Sequence, residues 1–345
     1  MRTTDGNAMK RFFPMVLFLL LVAAFLMAVA VGSHPIPLKA VTSILLHPGA
    51  GEWPHSWVQI LWKLRLPRAL AAMMVGGVLA VGGGTCQGLF RNPLAEPYLL
   101  GISSGASLGA ALAIVFLPFG AFAGLSVIGL AAFLGSLVVT VTVFSAAGRG
   151  AFRLPATLLL AGIAVAFLCQ SGVWLIMALN RDQVERITFW TLGSLSSVGW
   201  SGVMWLALIT APVVLAQMAL GRVLDVMSTG HDGAHGLGLD PSRMALILLT
   251  LTALGTAAAV SVAGTIGFIG LMVPHFLRWV IGPAHQRLLL SSWLGGGILL
   301  LLADAIARTV TAPGEIPVGV VTALMGAPFL LVMARGKQQS GRLDG

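Results

Sequence analysis

Residues 69–89 read Ala-Leu-Ala-Ala-Met-Met-Val-Gly-Gly-Val-Leu-Ala-Val-Gly-Gly-Gly-Thr-Cys-Gln-Gly-Leu. None carries a charge, and the run is long enough to span a bilayer, which takes about 20 apolar residues for about 30 Å of hydrocarbon. Working outward, comparable runs occur at 13–31, 99–117, 122–146, 158–179, 203–220, 244–263, 265–280, 288–307 and 318–333, ten in all. The run at 265–280 is short and contains Pro274. Composition agrees: 57% of the 345 residues are hydrophobic and 9% are charged, against roughly 25% charged in a soluble domain. A mean hydropathy of +0.96 excludes a water-soluble globule. The expectation is an all-α polytopic membrane protein with ten transmembrane helices in one domain over 1–345.

The first run follows Lys10 and Arg11 and ends near Ala28-Val29-Ala30, an opening that resembles a signal peptide. It is longer than an h-region of about 7–15 residues, so a retained first helix is expected. A net charge of +9 would prompt a nucleic-acid reading in a soluble protein. Here the basic residues sit between apolar runs, as the positive-inside rule requires. With both termini cytoplasmic, Arg2, Lys10, Arg11, Arg91, Arg149, Arg153, Arg222, Arg243, Arg278, Arg287, Arg335, Lys337 and Arg342 fall inside, thirteen in all. Lys39, Lys63, Arg65, Arg68, Arg181, Arg186 and Arg308 fall outside, seven in all. Cys86 and Cys169 lie within apolar runs, which argues against a disulfide framework.

Two connections are long. The outer one, 32–66, contains Trp53, Trp57 and Trp62 and fits a segment lying at the headgroup level. The other, 221–243, mixes an amphipathic turn with glycines and helix caps. One or two short helices outside the bilayer, docking a cytoplasmic partner, are expected there.

Enzyme chemistry has no foothold in the residues. No phosphate-cradling Gly-x-x-x-x-Gly-Lys-Ser/Thr loop occurs. The seven histidines form no metal-ligand pattern, and the Asp232-Gly233 between His231 and His235 weakens the one pair at helical spacing. Gly101-Ile102-Ser103-Ser104-Gly105 matches a nucleophile elbow only formally, because it lies in an apolar run rather than at a strand-to-helix turn. Asp304 is the clearest intramembrane ionisable group. It is either an ion or proton carrier or the i,i+4 partner of Arg308, and the pair is the favoured reading. His275, after Pro274, reads as an interfacial or capping residue.

Several runs together carry a resemblance. They are Arg65-Leu66-Pro67-Arg68, then Gln87-Gly88-Leu89-Phe90-Arg91-Asn92-Pro93-Leu94-Ala95-Glu96-Pro97, with Leu100-Gly101-Ile102 and Gly105-Ala106 after it. Leu158-Leu159-Leu160-Ala161-Gly162, Gly264-Thr265-Ile266-Gly267-Phe268-Ile269-Gly270-Leu271 and Pro274-His275 with Arg278 follow. Glu315-Ile316-Pro317-Val318-Gly319-Val320 and Gly326-Ala327-Pro328 complete the set. In this order, from about residue 65 to 330, they resemble the membrane permease of ABC importers for iron chelates and cobalamin.

That resemblance implies a type II importer permease fold and a homodimer with its path on the two-fold axis. It also implies two cytoplasmic ATPase subunits, which hold ATP and Mg, and a periplasmic substrate-binding protein. No cofactor, metal or catalytic residue is implied for this chain, and the location implied is the bacterial inner membrane. Leu224 and Gly236-Leu237-Gly238-Leu239 resemble the coupling helices that seat in the ATPase. Arg65, Arg68 and Arg308 resemble the positions that dock the binding protein. Asn92 and Leu94, with Pro155 and Ala156, match the cytoplasmic gate. The family's small hydroxyl residues are replaced here by Pro155-Ala156, so a packed apolar gate is expected. Leu168, Gln170, Val173, Ala323 and Met325 would line the path.

Haem, a ferric siderophore and cobalamin are all cargoes of such importers. The run Phe189-Trp190-Thr191-Leu192-Gly193-Ser194-Leu195 and the Arg91–Pro93 region are similar to haem permeases, which tips the expectation to haem. The competing class is a secondary transporter driven by an ion gradient through Asp304.

Overall fold

The structure, a computed structural model, describes residues 4–32, 36–47, 53–117, 120–122, 125–148 and 155–340. Of the inner basic residues, Arg2, Arg149, Arg153 and Arg342 lie outside the described residues. Helix α1 (Thr4–Ala30) is followed by two short helices, α2 (Leu38–Leu46) and α3 (His55–Gln59). A π-helical turn, Ile60–Arg65, joins α3 to α4 (Leu66–Leu89). A 3-10 turn, Pro97–Leu100, leads into α5 (Ile102–Phe116), and a two-residue strand pair precedes α6 (Val127–Ala147). Then come α7 (Pro155–Leu179), α8 (Val184–Thr191) and α9 (Trp200–Ala219). The short helices α10 (Gly221–Met227) and α11 (His231–Gly236) precede α12 (Pro241–Ala263), α13 (Ile269–Ile281), α14 (His285–Thr309) and α15 (Val318–Ser340).

Each of the ten apolar runs carries a helix. Among the described residues seven helical stretches are long and apolar enough to cross a membrane, and Ile102–Phe116, Ile269–Ile281 and Val318–Met333 are shorter apolar helices.

Helix α4 is the centre of the bundle and is buried along nearly its whole length. Its glycines let neighbouring backbones touch: a methyl group at Gly76 would collide with the Gly296 carbonyl on α14, and one at Gly83 with the Gly270 carbonyl on α13. Such contacts replace the hydrophobic drive that lipid removes. Gly105 on α5 and Gly135 on α6 meet in the same way in a second layer.

Two boundaries depart from the hydropathy pattern. The helix expected to begin at 69 is continuous from His55, across the segment read as a surface connection. Pro67 has no amide hydrogen to donate, and the wide turn at Ile60–Arg65 accommodates it without ending the helix. The run at 265–280 does not begin helically either. Gly264 (φ 67°) ends α12 and Phe268 (φ 70°) precedes α13, so 264–268 is an unwound stretch within the bundle. Its polar groups are met locally: Tyr98 Oη donates to Ile266 O at 2.9 Å and accepts from Ile266 N at 3.1 Å. Thr265 Oγ1 donates to Thr191 O. Non-helical backbone at membrane depth is tolerated only under such cover. His275 is buried inside α13 against Trp279 and Phe329 rather than capping a helix end.

Candidate functional site

At the end of the bundle where α14 finishes, Arg65, Arg68 and Arg308 come together, buried rather than exposed. Arg68 Nε donates to both oxygens of Asp304, at 3.0 and 3.1 Å. Its Nη1 donates to both oxygens of Glu315, at 3.0 and 2.9 Å. Asp304, 1% exposed, also faces Arg308 Nε at 3.1 Å, so the i,i+4 pair read from the sequence forms. The free carbonyls of α1 take the remaining donors. Arg65 Nη1 donates to Val29 O (2.9 Å) and Ala30 O (2.7 Å), and Arg308 Nη2 to Ala28 O (2.9 Å). Cations at a helix C-terminus satisfy its orphan carbonyls and its dipole together. The three arginines line a cavity of about 280 Å³ with Gly32, Ile60 and Glu315.

At the opposite end, α10 and α11 project from the bundle. Leu224 is fully buried and anchors α10. Asp225 Oδ1 accepts from His285 N at 2.8 Å and from His285 Nδ1 at 2.7 Å. Helix α11 stops in a two-bond C-terminal cap: Gly238 N donates to His235 O (2.9 Å) and Leu239 N to Ala234 O (3.2 Å). This closure needs a left-handed residue, which Gly238 supplies at φ 82°. The cap leaves Leu237 68% exposed. Gly236-Leu237-Gly238-Leu239 is therefore a helix stop that presents one apolar side chain outward, whereas Leu224 faces its own bundle.

The gate residues occupy two places. Asn92 Oδ1 accepts from Leu94 N at 3.0 Å in the turn after α4, and both side chains are exposed. Pro155 opens α7 and Ala156 after it is exposed; the Pro155 side chain lies outside the described residues. Of the path residues, Gln170 and Val173 line a cavity of about 330 Å³ with Ser103, Ser104, Ser107 and Thr265. Leu168 is exposed, Ala323 half-buried, and Met325 lines an apolar groove against α1. Among the described residues no group of three His, Cys, Asp or Glu could hold a metal ion.

The model of the FecCD transport family matches residues 20–336. The chain belongs to the FecCD transport family. This FecCD chain is 43% identical to the hemin transport system permease protein HmuU of Yersinia pestis, over 83% of this chain and 86% of that one. It is 39% identical to the cobalamin import system permease protein BtuC of Halobacterium salinarum, over 90% and 83%. The iron(3+)-hydroxamate import system permease protein FhuB of Bacillus subtilis is 38% identical, over 94% and 82%. A solved inward-facing metal-chelate type ABC transporter superposes with a TM-score of 0.81 at 28% identity, covering 94% of this chain and 98% of that one. The FecCD chain is thus a membrane transport protein of the metal-chelate type fold, helical apart from the short strand pair before α6. Reading the sequence missed two of its links, Arg68 to Asp304 and Asp225 to His285. Each joins helices far apart in the chain, and no local spacing signals them.

Proposed function

We propose that this FecCD protein is the permease subunit of an ATP-driven ABC importer for a bulky iron chelate, with haem as the cargo. The observation that carries the reading is the 43% identity to a hemin permease over 83% of the chain. In this reading the chain works as a homodimer in the bacterial inner membrane, with both termini cytoplasmic. Two ATPase subunits supply ATP hydrolysis and a periplasmic binding protein delivers the cargo.

The geometry fits these roles. Leu237 would seat in the ATPase, and Leu224 and Asp225 would tie that contact to the bundle. Asn92 and Leu94 with Pro155 and Ala156 would close the path on the cytoplasmic side, by apolar packing. Arg65, Arg68 and Arg308 would form the periplasmic rim. Because they are buried and paired, they hold the shape of the cavity into which a carboxylate of the binding protein would enter, near Glu315. An ion-gradient carrier at Asp304 is disfavoured, since two guanidinium groups already hold that carboxylate. Cobalamin is the second cargo reading, supported by the 39% identity to a cobalamin permease.

Reconstitution in liposomes with the ATPase, and haem-loaded binding protein outside, tests the proposal. ATP-dependent haem entry is expected. Entry of a ferric siderophore or cobalamin alone would replace the cargo. Entry driven by a proton gradient and indifferent to ATP would overturn the class.

A further inference from the structure

Beside the coupling helices lies a cavity of about 650 Å³, bounded by the turn after α4, by α10 and by the α13–α14 junction. Arg91, Arg278 and Arg287 line it from three separate elements. None of the three has a carboxylate within ion-pair distance among the described residues. Asp225 is the one acid among the described residues that line it, and its Oδ1 accepts both hydrogen bonds that His285 donates. Arg278 Nη1 donates to Gln87 Oε1 at 2.7 Å, which orients the guanidinium and leaves its other donors unused by that bond. His285 also lines the cavity. Its Nε2 is buried, has no hydrogen-bond partner among the described residues, and lies over Gly88 of the same wall.

The positive-inside rule accounts for basic residues on one side of a bilayer. It does not account for three guanidinium groups converging on one concave space that holds a single carboxylate, itself bonded to His285 through one oxygen. Guanidinium groups match the oxygens of a phosphate ester two at a time, and the volume is in the range of small-molecule sites, about 300–1,000 Å³.

We infer that this cavity binds a phosphate-bearing anion, either free phosphate or the headgroup of an acidic phospholipid. The anion bridges the turn that carries Asn92 and Leu94 to the α13–α14 junction. Arg91 extends the bridge to α11, since a Cβ at Gly230 would lie 3.1 Å from its Nη1. The inference rests on the proposed transport role only for placing this face in the cytoplasm, and its test needs no transport.

The test is thermal unfolding of the purified full-length permease in phosphatidylcholine nanodiscs. Inorganic phosphate is titrated against sodium chloride at equal ionic strength. A parallel arm replaces part of the lipid with phosphatidylglycerol and omits phosphate. A saturable rise of about 2–4 °C in the midpoint is expected in at least one arm. A rise with free phosphate identifies a soluble anion; a rise with phosphatidylglycerol alone identifies a headgroup. Arg91→Gln and Arg287→Gln, both at exposed positions, abolish the rise, while Arg222→Gln, exposed on α10 outside the cavity, leaves it intact. No rise in either arm beyond chloride, or an undiminished rise in both cavity variants, overturns the site.

Discussion

Asp225 on α10 receives two hydrogen bonds from His285, one from the backbone amide at 2.8 Å and one from the ring at 2.7 Å. One carboxylate thus caps the first turn of α14 and fastens the segment read as the ATPase contact to the membrane bundle. Asp225→Ala should leave ATP hydrolysis running in the assembled transporter while the cargo moved per ATP falls roughly tenfold, as expected for losing about 1.4 kcal/mol of a charge-assisted tie. Asp225→Asn keeps an acceptor for the amide and should fall less. The ratio of uptake to hydrolysis in liposomes measures both.

Leu237 tests the outward end of the same segment. At 68% exposure it adds little to the fold, so Leu237→Asp should change the stability by no more than a surface substitution does, about 0.5 kcal/mol. The same change should abolish co-purification of the ATPase. Retention of the ATPase at wild-type yield would remove Leu237 from the contact.

Asp304→Ala leaves Arg68 and Arg308 facing each other across a vacated buried site. Removing one partner of a buried pair costs about 3–5 kcal/mol, so a marked fall in thermal stability is expected. The double variant Asp304→Ala with Arg68→Met should recover part of it, because the uncompensated charge goes too. Uptake by any surviving protein should still follow ATP and ignore a proton gradient.

Two glycines on facing segments should respond very differently. Gly83→Ala drives a methyl into the Gly270 carbonyl, backbone against backbone, and should cost about 1–3 kcal/mol. Gly267→Ala meets nothing within 4 Å and should stay within about 0.5 kcal/mol of wild type. Chemical or thermal unfolding of the two single variants is the measurement.

Glu96, in the connection between α4 and α5, has its carboxyl pushed up to about 7 by burial, with the Phe268 amide opposing the rise. The folded state therefore favours the protonated acid more than the unfolded chain does. Stability should be highest below the ordinary carboxylate value, decline as pH rises through the interval up to about 7, and level off above it. Glu96→Gln should flatten that decline, as read from unfolding midpoints between pH 4 and 8.

The apolar runs could be read because lipid imposes length and composition on every crossing helix, and all ten carry helices. Their ends could not be read so well. Gly264-Thr265-Ile266-Gly267-Phe268 is as apolar as a helix, and only cover from Tyr98 and Thr191 permits the backbone to unwind there. The pairing of Asp304 with Arg308 was legible because both lie on one helix face. Arg68 sits 236 residues away from Asp304, so its bond to that carboxylate exists only once α4 and α14 have packed. A separation of 60 residues likewise hid Asp225 from His285, and packing turned Arg65 and Arg68, which look like free surface cations in the sequence, into buried ones.

Helix α14 has Asp225 bonded to its first residue and Arg68 bonded to Asp304 near its last turn. Its 25 residues contain no proline, and at about 1.5 Å each they span about 37 Å. Its one soft stretch, Gly295-Gly296-Gly297, is braced against α4 and α13. Such a member is built to act as a pushrod. A displacement imposed along its axis at Asp225 would arrive at Arg68 and Glu315 on the far rim with no proton, ion or ligand travelling between them.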